Sequence, residues 1–81
     1  MKDLVEYVVK SLVDNPDEVH VVEVPGNAST IIELEVAADD MGRIIGRGGR
    51  VIDSIRTIVQ IRAAKEGQRV DLELLEAGEL H

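Results

Sequence analysis

The chain contains no cysteine, no tryptophan and no phenylalanine, and Tyr7 is its one aromatic residue. Without cysteine, neither a disulfide nor a thiolate metal site can staple the fold. With a single ring, the chain cannot hold successive nucleobases by stacking, as the sheets of RNA-recognition motifs and many OB folds do. No apolar run approaches the ~20 residues of a membrane-spanning helix. No charged-then-apolar leader opens the sequence, so a cytoplasmic location is expected. The two histidines, His20 and His81, give no metal-ligand spacing in the absence of cysteine. No nucleophile is placed beside His20 by spacing. The expectation is therefore no metal, no cofactor, no small-molecule substrate and no catalysis.

What is present is one small domain. A chain of 81 residues, 44% of them apolar, can build a single core but no deep enclosed pocket. The net charge of −7 argues at first against a polyanionic partner. Its distribution points the other way. Arg43, Arg47, Arg50, Arg56, Arg62 and Lys65 share residues 43–65 with one acid, Asp53, giving that stretch a net +5 and the remainder −12. A local basic platform on an acidic body attracts a polyanion to one face and repels it from the others.

Leu4, Val5, Val8, Val9, Leu12 and Val13 recur at helical spacing, with Asp3 as the expected cap and Asn15-Pro16 as the stop. Val19–Val24 is short and β-branched, and reads as a strand. Pro25-Gly26-Asn27 is a turn, since proline fixes φ and the next two residues accept positive φ. A second strand over about 29–37 places Thr30, Ile32, Leu34 and Val36 on a buried face, with Glu33 and Glu35 on a wet one. The two strands should form an antiparallel hairpin. Asp39 and Asp40 suit the N-cap of a short helix over Met41–Ile45. A longer helix runs from about Gly49 to Ala64, with Val51, Ile52, Ile55, Ile58 and Val59 on one face and Gly67 as its terminating glycine. Val70, Leu72 and Leu74 alternate with Asp71 and Glu73 in a third strand. The order α-β-β-α-α-β implies an α+β fold of two layers, helices covering one face of a three-stranded sheet.

Between the last two helices stands Ile44-Ile45-Gly46-Arg47-Gly48-Gly49-Arg50-Val51-Ile52. Its glycines permit positive φ and close approach of another backbone. Two arginines and the N-terminus of the following helix add positive charge and unpaired amides, which together suit phosphate. Spacing excludes two better-known phosphate loops. Five residues after Gly42 comes Arg47, where a Walker loop needs its second glycine, and Val51 stands where a dinucleotide fingerprint needs its third.

What fits is Ile-Gly-x-x-Gly-x-x-Ile, with Gly46, Gly49 and Ile52 as fixed points. This resembles the KH domain, whose Gly-x-x-Gly loop clamps a four-nucleotide backbone segment. The element order resembles the type II form, and the resemblance covers nearly the whole chain. A single domain over 1–81 follows, with its core motif at about 29–76 and an N-terminal helix and strand at about 3–24. The resemblance is to small bacterial single-domain KH proteins. It implies single-stranded RNA lying in a groove between the two central helices, its phosphates on Gly46, Arg47, Gly48, Gly49 and Arg50. Arg43 would add charge. Ile45 and Ile52, with Ile44, Val51 and Ile55, would form an aliphatic floor beside the strand around 32–36.

Because aliphatic contacts are weaker than stacks, affinity on the order of 10⁻⁴–10⁻⁶ M is expected for the isolated domain. Tight use would then need two linked sites. Ile61 lies on the flank of the long helix beside Ile58 and Ala64, a candidate dimer patch. The resemblance implies self-association, or pairing with a larger KH-containing protein, in the work of an RNA chaperone or post-transcriptional regulator. A second reading is a protein–protein adaptor on a KH scaffold with vestigial RNA binding, which the acidic remainder would suit. Nothing in the residues identifies a 2′-hydroxyl reader that would exclude single-stranded DNA.

Overall fold

In a computed structural model, residues 1–79 are described, and Leu80 and His81 lie outside them. The order is α1 (Lys2–Leu12), β1 (His20–Pro25), β2 (Thr30–Glu35), α2 (Met41–Ile45), α3 (Arg50–Lys65) and β3 (Val70–Leu75). Short 3-10 turns stand at Pro16–Glu18, Ala38–Asp40 and Arg47–Gly49. The expected α+β order is therefore the observed one.

β2 is the central strand, antiparallel to β1 and parallel to β3. The hairpin closes tightly, with the Gly26 N–H donating to the Ser29 carbonyl at 2.9 Å. The parallel pairing requires a crossover, and α2, the glycine turn and α3 provide it. Side chains alternate about this sheet as the sequence requires. Val21, Ile32, Leu34, Val70 and Leu72 point into the core, where they meet Val5 and Val9 of α1, Ile44 of α2 and Ile52, Ile55, Val59 and Ala63 of α3. α3 ends as expected, with Gly67 at φ 68°. The N–H of Gln68 returns to the Ala63 carbonyl at 2.8 Å, closing the last turn.

Several local expectations need correction. α1 stops at Leu12, before Asn15-Pro16, because Val13 is already extended at φ −95°, ψ 160°. Asp3 makes no capping hydrogen bond and stands inside the first turn, where its charge still opposes the helix dipole. Leu12 and Ile58 belong to periodic stripes but are exposed, since each stripe is wider than the surface its helix buries. Glu35, expected on the wet face, is 8% exposed. The segment after β3 returns to it, and the Gly78 N–H donates to Glu35 Oε2 at 2.7 Å. Nor does the strand around 32–36 stand beside a groove. Ile32 and Leu34 are fully buried in the central strand, and the strand beside α3 with a free edge is β3.

Candidate nucleic-acid interface

α2 and α3 meet at the glycine turn, and three glycines make the corner. Gly46 sits at φ 74°, ψ 177°, a conformation open essentially to glycine alone. Gly48 (φ 63°, ψ 21°) and Gly49 (φ 78°, ψ 14°) are left-handed. The Gly46 N–H closes α2 on the Gly42 carbonyl at 2.9 Å, and the Gly49 N–H reaches the Gly46 carbonyl at 3.2 Å. Between them, the N–H groups of Arg47 and Gly48 have no hydrogen-bond acceptor among the described residues. Arg47 and Arg50 are exposed, and among the described residues no ion pair holds either. Two open amides, two unpaired guanidiniums and the start of a sixteen-residue helix converge on one corner. An anion is the ligand that this arrangement suits.

The other residues expected at the site fall into different places. Arg43 is exposed on α2, but its Nη2 lies 3.0 Å from Asp14 Oδ2 rather than against Asp39, Asp40 or Asp53. Ile45 is partly exposed next to the loop. Ile52 is buried, as are Ile44 and Ile55, so these three serve the core, and Ile45 with half-buried Val51 is what the floor can offer. Arg56 turns toward β3, with Nε on the Leu72 carbonyl at 3.1 Å and Nη1 on Asp53 Oδ1 at 3.3 Å. Arg62 pairs with Glu66 at 3.2 Å. Of the basic platform, the glycine-loop arginines are thus the ones presented without a partner near the open amides.

Sequence reasoning misses the residue that places α2. Asp40 is 1% exposed and makes no cap to its own helix. Its carboxylate accepts instead from the backbone N–H groups of Asp14 (3.0 Å) and Asn15 (3.1 Å) and from Asn15 Nδ2 (3.0 Å). The early stop of α1 is explained here, since the chain must unwind to aim those amides at Asp40. The sequence signal is an acidic pair before a short helix, of which only one member can face water. These hydrogen bonds, chiefly that from the Asp14 amide, hold the Asp40 carboxyl below its ordinary value despite the opposing effect of burial, and Arg43 assists.

A depressed folded value means that Asp40 stabilises the fold in full above the unfolded carboxylate range near pH ~4. That contribution is lost as pH falls through the folded value. Acid titration of the Asp14 and Asn15 amide resonances should show this joint loosening in that window, and Asp40→Asn should remove the dependence. Unchanged amide shifts across the window would contradict the assignment.

Among the described residues no group of acids and histidines could hold a metal ion, and no helix is long and apolar enough to cross a membrane. The α-β-β-α-α-β order, the mixed sheet and the glycine corner between the central helices define a type II KH domain. The KhpA/KhpB KH-domain family model matches residues 2–74, and the chain belongs to that family. Curated relatives are similar over nearly their whole length. One named RNA-binding protein KhpA, from Clostridium perfringens, is 51% identical over 75 residues, covering 93% of this chain and all of the relative. One of the same name from Borreliella burgdorferi is 50% identical over 74 residues, covering 91% of this chain and 90% of the relative. Another from Chlamydia caviae is 47% identical over 76 residues, covering 94% and 97%. No solved structure matches the chain.

Proposed function

We propose that this chain binds single-stranded RNA, holding phosphates on the Gly46–Gly49 loop, and works as an RNA chaperone or post-transcriptional regulator. The observation that carries the reading is the pair of open amides at Arg47 and Gly48, flanked by the unpaired Arg47 and Arg50 side chains. The relatives' names support the choice of RNA. The test is a titration of short labelled RNA at two salt concentrations, with wild type beside an Arg47→Asp, Gly48→Asp variant. A Cβ at Gly48 meets nothing within 4 Å, and aspartate tolerates a left-handed backbone, so the variant should fold. Wild type should weaken with salt, with a slope of about −0.7 per phosphate held, and the variant should bind at least tenfold less tightly. Equal binding by the two would remove the loop from the mechanism.

The module acts as a dimer or with a larger KH protein in this reading. Ile58 and Ile61 are 47% and 56% exposed, and both line a shallow depression with Leu4, Arg62 and Lys65. Ile61→Asp should therefore leave a folded protein of lower sedimenting mass. If the variant keeps the mass of a wild-type dimer, or wild type itself sediments as a monomer, the isoleucine patch is not a self-interface.

A further inference from the structure

Arg43 lies on the short helix that ends in the glycine corner, three residues before Gly46. That separation is a rise of about 4.5 Å, which an arginine side chain spans. Its Nη2 is instead turned to Asp14 Oδ2 at 3.0 Å. Asp14 is fixed in that place by its own backbone. Its N–H donates to the buried Asp40 carboxylate at 3.0 Å, and the Asn15 N–H does the same at 3.1 Å. Asp40 directly precedes α2, so the link after α1 is pinned to the foot of the helix that carries Arg43. The two paired side chains are 55% and 71% exposed, and ion pairs so open to water stabilise a fold little. What the pair does change is charge, because Asp14 cancels an arginine that would otherwise stand beside the unpaired Arg47 and Arg50.

We infer that Asp14 is a positioning residue that restrains RNA binding, by holding Arg43 away from the phosphates that the glycine loop receives. The inference rests on the proposed RNA-binding reading and adds to it a limit on affinity. Differences in affinity between variants of one interface lie mostly in the rate of release. Asp14 therefore shortens the time for which a strand is held.

The experiment is a titration of the full chain with labelled oligouridylate at several salt concentrations. Wild type, Asp14→Asn, Arg43→Gln and the double variant are compared, each shown by circular dichroism to be folded. Asparagine keeps the backbone N–H on Asp40 and removes only the charge, and Asp14→Ala repeats the test with a shorter side chain. Asp14→Asn should bind about fivefold more tightly, the strength of one close charge pair in water. Its salt slope should steepen by about 0.7, the effect of one further phosphate contact. In the Arg43→Gln background the same replacement should gain less than about twofold, because no guanidinium is there to be freed. Wild-type affinity and slope in both Asp14 variants would overturn the inference. So would an equal gain in both backgrounds, which would trace the effect to the charge of Asp14 alone. In either event the RNA-binding reading survives, provided that the Arg47→Asp, Gly48→Asp variant still loses affinity. Failure of wild type to bind the oligomer sinks both.

Discussion

Gly46→Ala should lower the stability of the fold by about 3 kcal/mol, the upper end of the cost of forcing a side chain into this backbone region. A Cβ built at Gly46 would stand 2.4 Å from Val51 Cγ2 and 3.0 Å from the Val51 backbone nitrogen. The first contact could be relieved by a rotamer change, but the second involves the opening turn of α3 and cannot. For a domain of this size the change amounts to a fall of roughly 15 °C in Tm. Gly48→Ala is the control. It shares a positive φ but has nothing within 4 Å, so only the left-handed cost of about 1 kcal/mol applies. Urea denaturation of the two variants beside wild type makes the comparison. Equal midpoints would mean that the corner relaxes and that Gly46 has no special structural position.

The second large effect separates neighbours that look equivalent in the sequence. Ile44 is 0% exposed and belongs to the core that also holds Val5 and Val9 of α1 and Ile32 and Leu34 of the sheet, whereas Ile45 is 38% exposed beside the loop. Ile44→Ala should cost about 3 kcal/mol, within the range for emptying a packed site. A domain of 81 residues has only about 4–12 kcal/mol in total, so that loss is severe. Ile45→Ala should change stability by less than about 1 kcal/mol and weaken RNA binding instead. Denaturation midpoints and RNA titrations on both variants decide this. If Ile45→Ala binds RNA as wild type does, the aliphatic floor is not used.

The distinction between these isoleucines shows what is legible in the sequence. Element order and the antiparallel β1–β2 hairpin are readable because alternation and turn signals act locally, as Pro25-Gly26 and Gly67 do where they end elements. The glycine corner is readable for the same reason. The parallel pairing of β2 with β3 is not readable, because it joins residues 40 positions apart. Burial within a stripe is not, because helical period says which residues share a face but not how wide a surface meets it. Ile58 therefore reads as an equal of Ile55, although only the latter is covered. Long-range polar partnerships are not readable either. Asp40 looks like a cap because capping is the local use of an aspartate before a helix. Its actual donors lie 25 and 26 residues away. Glu35 is a similar case, made a buried acceptor by a backbone amide 43 residues further on. Arg56 shows only as one more positive charge, and its meeting with the Leu72 carbonyl depends on a register that only the parallel sheet sets.

That register also orders the events of folding. The β1–β2 hairpin needs only its own turn, and such units form within microseconds. β3 cannot join until Thr30 meets Val70, a pairing that encloses the whole crossover. Closing so long a segment costs conformational entropy, and the cost falls once α2, the glycine corner and α3 have shortened it. The corner is thus a step on the route to the sheet as well as a feature of its surface. A strained residue at Gly46 should accordingly slow refolding, whereas a comparably destabilising truncation of Val5 or Val9, on the buried face of α1, should chiefly hasten unfolding.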